Sequence, residues 1–170
     1  MKKENIDIDL DDNLVEKIHE LCGENITEKV YDIVYLALEN EKINIDNVSV
    51  TITLVSSEEI QNINKEYRGI DKETDVLSFP IFDMNELESI KNEHDKNKVI
   101  KELELGDIFI CLKVVEEHSI EYETGILRET LYMITHGICH LLGYDHIIEN
   151  DKIKMRELEE KILNEIGVSK

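Results

Sequence analysis

Apolar and polar residues recur along this chain with two periods, and the periods divide it into elements. Ile6, Ile8 and Leu10 alternate with Asp7, Asp9 and Asp11, which predicts a short strand with one wet face. Leu14, Val15, Ile18, Leu21 and Cys22 then recur at helical spacing, and Gly23 closes that stretch. Residues 27–41 predict a second amphipathic helix burying Val30, Ile33, Val34 and Ala37. Val48, Val50, Ile52 and Leu54 alternate with Ser49, Thr51 and Thr53, the clearest strand pattern in the chain. Ser56 with Glu59 forms a capping box for a helix carrying Ile60, Ile63 and Tyr67.

Residues 75–79 predict a third strand, closed by Pro80, and the mostly apolar run 105–112 an inner one. The stretch 83–104 is strongly charged and interrupts two strands, so it is expected to be a solvated, mobile loop with at most a helical turn. Residues 126–142 are apolar on most sides, as in a central helix. Residues 151–166 present Met155, Leu158, Ile162 and Ile166 on one face, as in a covering helix. The order β-α-α-β-α-β-(loop)-β-α-α predicts an α+β (mixed α/β) fold with about four strands and five or six helices. One domain over residues 1–170 is expected, with the charged loop at about 83–104.

Charge changes the picture in one respect. A net charge of −20 excludes a protein that coats nucleic acid through a broad basic face, though not an enzyme with one local basic pocket. The three cysteines are far apart and odd in number, which suits a reduced cytoplasm and no disulfide framework. Met1-Lys2-Lys3 runs straight into Glu4 with no apolar segment behind it, so no signal peptide is expected. The longest apolar run, 33–38, is too short to span a bilayer.

The candidate chemistry lies in His136-Gly137-Ile138-Cys139-His140-Leu141-Leu142-Gly143-Tyr144-Asp145-His146. Residues four apart share a helix face, so His136 and His140 can converge on one ion. Gly143 can take the left-handed conformation that ends a helix and brings His146 back as a third ligand. Three imidazoles leave a coordination position for water, as in catalytic zinc sites, although nickel or another first-row ion would also fit. The spacing matches the metzincin proteases, but the position of their catalytic glutamate is Gly137. Metalloprotease-like hydrolysis is therefore the lesser reading. Gly137 costs a helix about 1 kcal/mol relative to alanine, which implies that another element or a substrate approaches the helix closely there.

Three stretches stand out together: Tyr67-Arg68-Gly69 followed by Thr74-Asp75-Val76-Leu77-Ser78-Phe79-Pro80; Leu105-Gly106-Asp107-Ile108; and the histidine segment. In these the chain resembles the YbeY family of endoribonucleases, the rRNA maturation factors, and Met155 also falls where that family tends to have methionine. The likeness runs over residues 48–155. It implies a single-strand-specific, metal-dependent endoribonuclease acting at the small-subunit rRNA 3′ end and in ribosome quality control. It also implies zinc ligands at His136, His140 and His146 and a functional arginine at Arg68. Cys139 departs from the family, which usually has leucine there, and is expected to fill the core rather than ligate.

Zinc held by three histidines lowers the pKa of its water toward ~7. Either that water or an activated ribose 2′-OH would attack the phosphodiester. Arg68, flanked by Lys65 and Lys72, suits the phosphate oxygens. Asp145 and Glu129 are candidate bases or carboxylates orienting a ligand histidine. Asp107 reads as a fold-holding acceptor, and His94 and His118 as solvated. Single-stranded or ribosomal RNA is the expected partner, and the acidic surface suits basic small-subunit ribosomal proteins or an assembly factor. A non-catalytic ribosome-assembly protein is a further alternative.

Overall fold

The computed structural model describes residues 2–95 and 101–168, without the side chains of residues 94 and 95. After one 3-10 turn (Lys3–Asn5) the elements are β1 (Ile6–Leu10), α1 (Asp12–Cys22), α2 (Thr27–Asn40), β2 (Val48–Leu54), α3 (Ser57–Arg68) and β3 (Val76–Pro80). They continue as α4 (Met84–Asp95), β4 (Leu103–Ile110), α5 (Leu112–Glu121), α6 (Ile126–Leu141) and α7 (Glu149–Glu165). The sheet has the order β1-β2-β4-β3, with β1, β2 and β4 parallel and β3 antiparallel to β4. The fold is α+β with four strands among the described residues, as the apolar pattern predicts.

Helix α6 is the centre of the molecule. It touches α1, α2, α5, α7, β3 and β4, and buries Leu131, Ile134, Ile138 and Leu141 completely. Each such side chain stabilises the fold by roughly 1.5–3 kcal/mol. The apolar phase of β4 slips at Gly106. Leu103 and Leu105 are buried before it and Ile108 and Ile110 after it, and the register against β2 shifts there. This is a bulge that needs glycine, because φ is +132° and a Cβ would run into the carbonyl of Phe79 on β3. The slip turns Ile108 toward α6.

Ile108 explains Gly137. A Cβ at position 137 would lie 2.8 Å from Ile108 Cδ1 and 3.1 Å from its Cγ2. The close approach expected at that glycine is therefore made by the sheet and not by substrate.

Three expectations need correction. The charged stretch 83–104 is not a loop in its first half, where α4 runs from Met84 to Asp95; residues 96–100 lie outside the described residues. Asp83 and Glu86 begin that helix as a reciprocal cap, Glu86 N donating to Asp83 Oδ1 at 2.9 Å and Asp83 N to Glu86 Oε2 at 2.8 Å. Leu87 anchors it in the core. The strand expected over 105–112 ends at Ile110, and α5 follows, so seven α-helices stand among the described residues where five or six were expected. Val114 and Val115 favour strand locally, but burial on one helical face wins. His118 is not simply solvated: it is half-buried, with Nδ1 3.1 Å from Asp75 Oδ2. The side chain of His94 lies outside the described residues. Among the described residues no helix is long and apolar enough to cross a membrane.

Candidate metal centre

His136 and His140 come from the last two turns of α6, and the turn after it delivers His146. The helix stops where Gly143 adopts φ +87°, with Gly143 N donating to His140 O and Tyr144 N to Cys139 O, each at 3.0 Å. A side chain at 143 would strike the backbone of Met84 at 2.9 Å, so the start of α4 packs tightly on this turn. The ring of His146 lies 5.5 Å from that of His136, nearly parallel, and 5.1 Å from that of His140. Potential ligand atoms of all three lie within 4.8 Å of one another.

The hydrogen bonds decide which nitrogens face the middle. His140 Nδ1 is 2.9 Å from the carbonyl oxygen of Tyr144, and His136 Nδ1 is 2.7 Å from Glu159 Oε1. A carbonyl and a carboxylate only accept, so both Nδ1 atoms carry a proton, and in the neutral ring this leaves Nε2 as the lone-pair atom. Those two Nε2 atoms face each other at 3.1 Å. Two lone pairs at this separation are stabilised by a shared cation, and zinc with Zn–N bonds of about 2.0–2.1 Å holds tetrahedral nitrogens about 3.3 Å apart. The donor set therefore fits a first-row metal ion. Burial, then the neighbouring imidazole of His136, pushes His140 down to about 4 despite the Tyr144 hydrogen bond. At neutral pH it is in the uncharged form a metal requires.

The cluster opens into a cleft of about 860 Å³ that Arg68, Asp75, Asp83, Tyr132 and Asp145 also line. Arg68 is the last residue of α3, which ends at Gly69 with φ +71°. It is exposed, with Nη2 donating to Ser78 O at 3.0 Å and the guanidinium 5.5 Å from the centre of the Phe79 ring. Lys65 is tied to Asp71 at 2.7 Å. The structure thus places Arg68 on the same cleft as the three histidines.

None of the other candidates hydrogen-bonds one of the three imidazoles among the described residues. Asp145 Oδ1 accepts from the backbone N–H of its neighbour His146 at 2.6 Å, and its carboxylate is exposed. Glu129 is buried in the first turn of α6, accepting from Thr124 Oγ1 at 2.8 Å. Asp107 is half-buried, paired across the sheet with Thr51 and Phe79. Cys139 is fully buried among core residues, its thiol pushed up by that burial, and among the described residues it is not part of the ligand cluster. The carboxylate that hydrogen-bonds one of the three clustered imidazoles, among the described residues, is Glu159 of α7. Its signal was present: it falls on the helix face of Met155, Leu158 and Ile162, where an apolar residue would be expected.

Fold and site together define an α+β protein with a metal-type histidine centre at the end of its core helix. A family model described as Endoribonuclease YbeY matches residues 12–167. A Clostridium botulinum (strain Kyoto / Type A2) protein named Endoribonuclease YbeY is 41% identical over 163 residues, 92% of this chain and 96% of its own. A Clostridium perfringens (strain SM101 / Type A) protein of the same name is 41% identical over 153 residues, 86% of this chain and 90% of its own. The solution structure of a Thermotoga maritima protein superimposes with a TM-score of 0.52 at 30% identity, covering 94% of this chain and 90% of that one. The chain belongs to the YbeY endoribonuclease family.

Proposed function

We propose that this chain is a single-strand-specific, metal-dependent endoribonuclease of ribosomal RNA processing, with its reaction centre at His136, His140 and His146 and its phosphate grip at Arg68. The observation that carries this reading is the cleft itself. Two imidazole Nε2 atoms 3.1 Å apart face into it, and Arg68 lines it too. The family membership supplies the substrate class.

Zinc is the expected ion, one per chain, and when bound it supplies Lewis acidity to a water and to a phosphoryl oxygen. The chain's own part is to hold and position. His136 and His140 present Nε2 because their Nδ1 protons are committed elsewhere. Arg68 keeps guanidinium N–H groups available beyond the one given to Ser78, a planar fork suited to the oxygens of a phosphodiester gathering charge. With Asp75, Asp83 and Asp145 also on the cleft, the grip is local to one phosphate, as suits a single strand and not a duplex laid along a basic face. The attacking group is either a water or the ribose 2′-OH. Residues 1–170 form one such catalytic unit acting in the cytoplasm, with small-subunit rRNA as its substrate. Its acidic surface docks basic ribosomal proteins or an assembly factor, an association that salt should weaken.

The protease reading loses support from Ile108. A side chain at position 137 would point into β4 and away from the cleft, so it supplies no general base. The test is cleavage of end-labelled single-stranded RNA by wild type, Arg68→Ala and His140→Ala, purified in parallel, with the duplex as a control. Wild type should cut the single strand alone, and both variants should lose at least about a hundredfold. Equal cutting by all three would assign the activity to a contaminant and leave a binding protein of ribosome assembly as the better reading.

A further inference from the structure

A carboxylate buried to 2% exposure on the apolar face of a covering helix is expensive unless it does something. Glu159 sits one helical turn after Met155 and one before Leu163, both buried, at a place where leucine would pack. Its Oε1 accepts from His136 Nδ1 at 2.7 Å, and the phenol of Tyr132, one turn before His136 on α6, faces the same carboxylate. Tyr132 is raised to about 12 by burial first and then by Glu159, so it remains a neutral hydroxyl that can donate to the carboxylate. Glu159 therefore accepts from one α6 side chain and is faced by a second, while belonging to α7.

We infer that Glu159 is the positioning residue of the metal centre: from α7 it fixes the tautomer and ring plane of His136, and so makes Nε2 the ligand atom. This rests on the three-histidine reading and deepens it. The neutral imidazole has two tautomers, and only the one protonated on Nδ1 leaves Nε2 free to ligate. An anionic acceptor on Nδ1 favours that tautomer and makes Nε2 more basic, which strengthens a metal–imidazole bond. The second ligand is held differently, since the acceptor for His140 is the backbone carbonyl of Tyr144, four residues on in the same turn. That acceptor comes with the local fold, whereas Glu159 exists only because α7 packs on α6. The packing of α7 on α6 thereby completes the site.

The test uses the full chain with Glu159→Leu and Glu159→Gln. Zinc affinity is read by competition with a chromophoric chelator, and the His136 tautomer of the metal-free protein by ring 15N NMR. In Glu159→Leu the affinity should fall about ten- to hundredfold, and the Nδ1–H signature of His136 should give way to a tautomer mixture. Glu159→Gln keeps an acceptor oxygen without the charge, so it should retain the tautomer and recover part of the affinity. The metal-free Glu159→Leu protein should melt below wild type, because His136 Nδ1–H loses its buried acceptor; the tautomer and affinity changes are the readouts that a merely structural glutamate would not move. Zinc binding by Glu159→Leu within twofold of wild type would overturn the inference and leave the histidine centre standing. Failure of wild type to bind zinc would instead sink the histidine reading. If the leucine variant does not fold, Nε2–H as the major His136 tautomer in metal-free wild type overturns the inference by itself.

Discussion

The cleft holds its two kinds of functional side chain in opposite ways. The imidazoles of His136 and His140 stand on the most buried helix of the molecule, each with Nδ1 committed to an acceptor before any ligand arrives. Arg68 is exposed at the end of a surface helix, resting on Phe79 and giving one N–H to Ser78. A metal ion needs several atoms at fixed separations, and errors of about 0.5 Å are costly, so its ligands are built into the core. A phosphate on a flexible strand can be met by a long side chain with five N–H donors, so its grip belongs at the surface. The two should therefore fail independently.

His140→Ala should show the largest effect. The wild-type chain is expected to hold one ion by elemental analysis, and the variant should hold none and cut no RNA. Its stability in chelator should drop only by about 1–2 kcal/mol in denaturant titration, as for a half-buried side chain. Retention of the ion would mean that the cluster is not the site.

Arg68→Ala comes next, with cleavage down by about 10² to 10³ and metal content unchanged, the loss expected for one donor to a charged transition state. Arg68→Lys should recover only part, because a point charge replaces a planar fork. Loss of the ion in Arg68→Ala would break the comparison, since the arginine would then be supporting the core side of the cleft.

Gly137→Ala sharpens it from below, at the helix–sheet contact that seats the ligands. The gain in helix propensity of about 1 kcal/mol is outweighed by overpacking of about 1–3 kcal/mol against Ile108, for a net loss near 1 kcal/mol. Ile108→Val removes the Cδ1 that the new methyl would meet at 2.8 Å, so the double variant should recover much of the loss in a thermodynamic cycle. A fully additive pair would show that the contact is slack.

What the sequence showed and hid follows the same division. The histidine cluster was legible because its spacing is local: four residues on one helix, a left-handed glycine and a return of the chain. Gly137 announced a close approach, but which element approached depended on the bulge at Gly106, thirty-one residues upstream by their numbering. Glu159 escaped because a charged residue on an apolar helix face was passed over once the apolar positions had been counted. Asp145 and Glu129 were chosen for nearness in sequence or on one helix, and each is held by a local backbone or hydroxyl donor instead. Charge hid α4, whose cap at Asp83 and Glu86 was readable, and valines hid α5. The parallel order of β1, β2 and β4 depends on how helices cross the sheet, which no single strand's pattern encodes.

Cys139 gives the smallest expected effect and the cleanest control. It adjoins His140, yet neighbouring helix positions diverge by about 100°, and its side chain is fully buried in the core and not in the cleft. Cys139→Ala should therefore leave one ion per chain and zinc affinity within about twofold, at a cost near 1 kcal/mol for the small cavity. In the folded wild type a maleimide should label one thiol of three, the exposed Cys22, because Cys111 and Cys139 are buried. Cobalt-substituted protein should show no thiolate-to-metal absorption. Such a band, together with lost affinity in Cys139→Ala, would mean that the sulfur turns from the core into the cleft. The site would then be a closed, structural one, and the distinction between a prebuilt metal centre and an open reaction cleft would collapse.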